Sequence, residues 1–139
     1  MGFSLEWLLK MKQNELSTLE MELIDMNSKI HSQLKLIEDN KVFLDKLKEN
    51  LQSSLYIWQI NSTLRSIESG KKRHVELDSE LVYLKKEQQM ILSKYNSKNC
   101  EIKVLEKLKN NYIEQEKIKK SKKEEAELNE LALLAKINE

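Results

Sequence analysis

The 139-residue chain has no proline and two glycines, and about a third of its residues are charged. So few turn residues argue against a sheet, and regularly spaced apolar residues argue against disorder. A net charge of +1 argues against a chain-wide surface for nucleic acid or anionic membrane, and the single cysteine excludes an intramolecular disulfide.

The first half of the chain carries an apolar residue at every seventh position. The row consists of Leu9, Leu16, Leu23, Ile30, Ile37, Leu44, Leu51 and Trp58. This spacing holds one side of a helix against a partner and predicts a coiled coil. The companion row three positions later is weaker and includes Gln33 and Asn40. Polar residues there fix the register of the helices; the alternative is a seam loosened for a binding partner.

Two positions could reverse the chain. Gly70 is the usual residue type for a helix end, and a polar stretch around Gln52 is the other candidate. A turn near Gln52 pairs Leu23 with Leu81, whereas a turn at Gly70 places Leu23 opposite Glu116. Because an unpartnered buried charge is costly, we expect the turn near Gln52, with Met26 facing Leu77.

The predicted fold is all-α, a single domain over residues 1–139. It is an antiparallel two-helix coiled-coil hairpin with helices at about 3–50 and 57–137 and a turn at about 51–56. The longer second helix extends past the first from about residue 103. This prediction leaves the following apolar residues without an internal partner: Leu105, Leu108, Tyr112, Ile113, Leu128, Leu131 and Leu134. Such a helix frays or binds another protein.

No cluster suited to catalysis is visible in the sequence. Two glycines cannot form a phosphate-binding loop. His31 and His74 lack ligands at metal-binding spacing, although the expected pairing would bring them near each other, and nothing positions a base beside Cys100. We therefore predict that the protein is not an enzyme and has no cofactor or metal site. Basic runs at 71–73 and 117–123 are interpreted as solvated helix faces rather than nucleic-acid sites.

The turn region is richer in apolar residues than a turn requires. The cluster contains Leu55, Tyr56, Ile57, Trp58, Ile60, Leu64 and Ile67. Because a two-stranded coil covers one stripe per helix, several of these face outward and are typical of an interface. Self-association into a dimer of hairpins is the alternative.

Three segments together resemble the FliJ family of flagellar export proteins, the stalk component of the type III export ATPase complex. They are the opening Phe3-Ser4-Leu5-Glu6-Trp7-Leu8-Leu9, the mid-helix Gln33-Leu34-Lys35-Leu36-Ile37, and the closing Leu105-Glu106-Lys107-Leu108 followed by Glu124-Glu125-Ala126-Glu127-Leu128-Asn129-Glu130-Leu131-Ala132. Asn129 departs from the aspartate that is common there.

The resemblance implies a hairpin similar to the γ-subunit stalk of rotary ATPases, with its termini at a hexameric export ATPase and its tip on the cytoplasmic domain of the export-gate membrane protein. The tip residues would be Gln33, Ile37, Asn40, Leu44, Trp58, Ile60, Leu64 and Ile67. The ATPase-binding residues would be Phe3, Leu5, Leu8, Tyr112, Ile113, Leu128, Leu131 and Leu134. Export chaperones are implied as further partners.

These expectations describe a non-catalytic stalk at the cytoplasmic face of the membrane export apparatus, associated with the membrane through its partners only. An injectisome stalk protein and a generic coiled-coil scaffold or chaperone are the alternatives. A nucleic-acid binder is disfavoured by the net charge.

Overall fold

The computed structural model describes residues 2–138, and two helices account for nearly all of them. Helix α1 spans Glu6–Ser53, with 48 residues, and helix α2 spans Ile57–Ile137, with 81 residues. The helices run antiparallel and pack against each other, and the described residues include no strand. The prediction of an all-α helical hairpin with a longer second helix is confirmed.

Helix α1 begins and ends about three residues later than the predicted 3–50. At its C-terminal end, the hydroxyls of Ser53 and Ser54 donate hydrogen bonds of 3.2 and 2.7 Å to the carbonyl of Asn50. These bonds satisfy a carbonyl in the last turn, where helical partners are missing. These serine hydrogen bonds therefore stabilise the last turn of α1 within the polar stretch around Gln52, which was interpreted from the sequence as the turn. The chain reverses over residues 54–56.

The described residues form two compact units. The turn unit comprises residues 18–95, and the terminal unit comprises residues up to 17 together with those from 96 onward. The turn unit has a single apolar seam, with six buried side chains: Met26, Ile37, Leu44, Ile67, Leu77 and Leu84.

Two buried amides set the register of the turn unit. Gln33 Nε2 donates to the carbonyl of Leu77 at 3.0 Å, and Asn40 Nδ2 donates to the carbonyl of Gly70 at 3.1 Å. The donors are one heptad apart on α1 and the acceptors one heptad apart on α2. Each amide therefore finds a partner inside the seam, as a buried polar group requires. This geometry favours the register role over a loosened seam.

The predicted pairing of the helices is wrong by seven residues, or about two helical turns. Leu77 faces Gln33 rather than Met26, because the chain reverses at 54–56 and not at Gln52. Gly70 lies inside α2, where a Cβ would approach Leu44 Cδ2 to 2.5 Å. The lack of a side chain at Gly70 lets the two helices come close at this level.

The terminal unit has its own core, built from Leu9, Ile102 and Leu105, with Leu5, Leu8 and Leu16 packed against it. Three ion pairs between the helices accompany this core: Lys12–Glu101 at 2.8 Å, Lys98–Glu15 at 2.5 Å and Lys109–Glu6 at 2.9 Å. Beyond them, the rings of Phe3 and Tyr112 lie 5.9 Å apart.

These contacts correct the predicted limit of the overhang. Leu105 is buried and Tyr112 has an aromatic partner, so neither lacks an internal contact. The helix is without a partner segment only from residue 113, about ten residues later than predicted. Every residue from 113 to 138 is exposed. No helix among residues 2–138 is long and apolar enough to cross a membrane.

Candidate functional site

The side chains with the potential for catalysis or metal binding are scattered. His74 Nε2 lies 3.2 Å from Asp78 Oδ2 one turn along α2, which is a local pair on a helix surface. His31 and Cys100 are exposed. Within residues 2–138, no three His, Cys, Asp or Glu side chains are grouped so that they could hold a metal ion. The features that suit binding are two exposed apolar surfaces, one in each unit.

Five of the residues predicted for the tip lie inside the hairpin. Gln33, Ile37, Asn40, Leu44 and Ile67 are buried. Their side chains pack the seam or bond to carbonyls across it, so a partner cannot reach them while the hairpin is folded. The heptad spacing of the four residues on α1 is explained by this internal packing.

The other three predicted tip residues are accessible to different degrees. Ile60 is half-buried, whereas Trp58 and Leu64 are exposed. Beside Gly70 an open groove is lined by Leu36 and Phe43 from α1 and by Arg65 and Arg73 from α2. Exposed apolar and cationic groups therefore flank the buried seam.

The turn itself presents four consecutive large apolar residues. Leu55, Ile57 and Trp58 are 88, 77 and 68% exposed, and Tyr56 is also exposed. The rings of Tyr56 and Trp58 stack with centroids 6.3 Å apart and planes within 17°. The backbone N–H of Leu55 donates to Gln59 Oε1 at 3.4 Å, so Gln59 closes the turn at the start of α2. This apolar cluster is fixed to a helix end.

The C-terminal extension, residues 113–138, forms the second exposed surface. Its helical part is about 38 Å long at 1.5 Å per residue. Leu128, Leu131 and Leu134 are 66, 62 and 55% exposed. Among the described residues, the only ion pair within this segment joins Lys119 and Glu116 at 3.9 Å. Such a helix gains no tertiary stabilisation and is marginal by itself.

The residues predicted for ATPase binding divide into two groups. Phe3, Leu5, Leu8 and Tyr112 are half-buried and take part in packing within the terminal unit. The exposed group consists of Ile113, Leu128, Leu131 and Leu134. The structure thus brings the N-terminal residues to Tyr112 and leaves the leucines of the extension open.

Leu55, Tyr56 and Ile57 were predicted as part of an outward-facing cluster at the turn, although they were not assigned to the export-gate contact, and all three are exposed. In the extension, the exposed residues Ile118, Leu133 and Ile137 were missed. The heptad rows could not identify them, because they lie outside the seam. The useful signal would have been large apolar residues at the remaining heptad positions.

The pKa shifts in the described residues come from pairs of polar side chains at the helix surfaces. The hydrogen bond from Lys12 lowers the pKa of the Glu101 carboxyl, and the same bond raises the pKa of Lys12. In the turn unit, Tyr83 Oη donates to Glu87 Oε1 at 2.7 Å, which raises the pKa of Tyr83. These shifts stem from surface pairs and do not mark a reactive centre.

Comparison with known proteins gives no further guide to function. No family model matches the chain, and no curated protein and no solved structure shows significant similarity to it.

Proposed function

We propose that this protein is the non-catalytic coupling stalk of a flagellar type III protein export apparatus, which binds a hexameric export ATPase and links it to the export gate. The family resemblance described above supplies the identity of these partners. The observation that carries the proposal is the extension at 113–138, a helix that continues well beyond its last contact with α1 and is exposed along its whole length.

The extension has the chemistry expected of a helix that binds in an apolar groove. Leu128, Leu131 and Ala135 recur at spacings of three and four, which places them on one face of the helix. The apolar surface of these side chains is removed from water only if another protein covers it. We therefore assign ATPase binding to Ile113, Leu128, Leu131 and Leu134, and we remove the half-buried N-terminal residues from the direct contact surface.

At the turn, the export gate would meet the exposed residues and not the seam. Trp58 and Leu64, with the groove beside Gly70, are the accessible part of the predicted tip site. Trp is the residue type most often found as an energetic anchor in protein interfaces.

The decisive experiment measures ATP hydrolysis by the purified export ATPase of the same organism, titrated with the full chain and with a chain ending at Tyr112. We expect the full chain to stimulate hydrolysis and the shortened chain to have no effect. The shortened chain keeps the core around Leu9 and the Phe3–Tyr112 contact, so it should remain folded.

Point variants separate the surface from the length of the helix. Leu128→Glu with Leu131→Glu should abolish stimulation, because two charges would enter an apolar groove. Val104→Glu is the matched control, since Val104 is exposed on the same helix outside the extension. If neither the full chain nor any variant binds the ATPase in sedimentation, a generic coiled-coil scaffold becomes the better description.

A further inference from the structure

The segment from Asn50 to Leu64 contains no charged residue, in a chain where 34% of the residues are charged. It encloses the turn, and its exposed residues are uncharged: five are large and apolar, and the others are Asn50, Gln52, Ser53, Asn61 and Ser62. From this segment and the start of α2, we propose that the turn end of the protein binds directly to an anionic lipid bilayer. The proposal is independent of ATPase coupling and goes beyond membrane association through partners alone. It uses Trp58 and Leu64, which are proposed above to contact the export gate, so the gate and the bilayer would compete for these two residues.

The apolar part of this lipid-binding surface consists of Leu55, Tyr56, Ile57, Trp58, Leu64 and Val75, all of them exposed. Ile57, Leu64 and Val75 are 7 and 11 residues apart, and therefore lie on one side of α2 at 3.6 residues per turn. The seam residues Ile67 and Gly70 are buried on another side. Exposed apolar residues thus recur along the outward face of the helix, where Asn61, Glu68 and Lys71 lie between them.

The charges of the same segment are mainly positive. From Ile57 to Val75 there are four basic residues, Arg65, Lys71, Lys72 and Arg73, and one acidic residue, Glu68, which gives a net charge of +3 against +1 for the whole chain. One shallow surface depression is lined by Arg65, Lys71, Lys72 and Val75, together with Glu68 and Ser69. Long basic side chains beside an apolar stripe can lay their stems along it and reach headgroup phosphates.

This combination fits a lipid surface better than the other anionic partners. Trp and Tyr are enriched at the level of the headgroups, because their rings are apolar and their N–H or O–H groups are polar. Leu55 and Ile57 have no role in binding a nucleic-acid backbone, where positive charge is the main requirement. An anionic bilayer offers an apolar interior for the apolar side chains and negatively charged headgroups for the basic ones.

The test measures co-sedimentation of the full-length protein with vesicles of phosphatidylcholine alone and of phosphatidylcholine with phosphatidylserine. We expect binding to the anionic vesicles, weakened by added salt, and little binding to the neutral ones. In a Trp7→Phe background, Trp58 is the remaining tryptophan, and its emission should shift to shorter wavelength when anionic vesicles are added.

Two variants and two matched controls locate the surface. Leu55→Ser with Trp58→Ser should weaken vesicle binding about tenfold or more, since both apolar anchors are lost. Lys71→Glu with Lys72→Glu should also weaken it at least about tenfold, because each cation near an anionic surface contributes about fivefold. The controls Val104→Ser and Lys122→Glu with Lys123→Glu make the same kinds of change elsewhere on α2 and should bind like the unaltered protein.

Circular dichroism of each variant verifies that the helices are intact. Equal binding to neutral and anionic vesicles by every variant would overturn the proposal. So would an unchanged Trp58 spectrum, or salt-sensitive retention of RNA without any retention of vesicles. Loss of vesicle binding with normal ATPase stimulation would show that the two surfaces act separately.

Discussion

At Gly70 the missing side chain has opposite effects on the helix and on the packing. Glycine inside a helix costs about 1 kcal/mol relative to alanine, so Gly70→Ala would by itself favour folding. The added Cβ, however, would lie 2.5 Å from Cδ2 of the buried Leu44 and 3.3 Å from its Cγ. Overpacking of this kind costs about 1–3 kcal/mol.

We expect the packing term to be the larger, so that Gly70→Ala lowers the free energy of unfolding by about 1 kcal/mol in urea denaturation. The sign should reverse in a Leu44→Ala background, where the obstructing side chain is gone and the helix propensity remains. Ser69→Ala, at an exposed neighbour, reports propensity alone. Stabilisation by Gly70→Ala in both backgrounds would contradict the close approach.

The Lys12–Glu101 pair gives the terminal unit a pH dependence of known sign. The folded-state pKa of Glu101 is lowered from 4.5 by the hydrogen bond from Lys12, so its contribution is present above pH 4.5 and is lost as the pH falls through the lowered value. The pKa of Lys12 is raised from 10.5, so its contribution is present below 10.5 and is lost as the pH rises through the folded value.

Glu101→Gln should therefore reduce the loss of thermal stability between pH 7 and about pH 3. The effect should be small, because Glu101 is exposed and Lys12 is only half-buried, and ion pairs at a protein surface contribute little. Melting curves followed by circular dichroism across this range provide the measurement. Glu127→Gln in the extension is the control, and an equal effect of both substitutions would show that Glu101 has no special role.

At the scale of the helices, the sequence predicted correctly that two long helices form, but it predicted poorly how residues of one helix pair with those of the other. An apolar residue at every seventh position is enough to predict two long antiparallel helices, because few other structures tolerate that spacing. The register depends on where the chain reverses, and this was decided by the hydroxyls of Ser53 and Ser54 bonding back to Asn50. A shift of three residues at the turn changes every pairing across the seam.

The sequence was likewise a poor guide to which of the candidate site residues are buried between the helices. Gln33 and Asn40 were correctly placed in the seam, yet they were also assigned to a partner, because polarity alone does not reveal which carbonyl accepts the hydrogen bond. The leucines of the extension were identified correctly as exposed, since no residues of α1 remain to cover them. Sequence pattern thus predicts unpartnered segments more reliably than it predicts which seam residues are accessible.

For the chain as a whole, the packing implies that stability and ATPase binding can be separated. Among the described residues of both units, all the buried apolar side chains come before residue 106, and in the terminal unit the ring of Phe3, which precedes α1, packs against Tyr112. Residues 113–138 add helix without adding core. Their helical state is maintained by local hydrogen bonds alone, a marginal contribution in water.

We therefore expect the chain ending at Tyr112 to unfold at nearly the same temperature as the full chain, with the free energy of unfolding changed by less than about 1 kcal/mol. Helical signal per molecule should fall with the length removed. The measurement is thermal and urea denaturation of both chains at several protein concentrations. The shortened chain could instead be clearly less stable than the full chain, by a difference that grows with protein concentration. That result would mean that a second copy covers the extension, since self-association makes apparent stability depend on concentration. A loss independent of concentration would mean that the extension packs within its own chain, contrary to its full exposure.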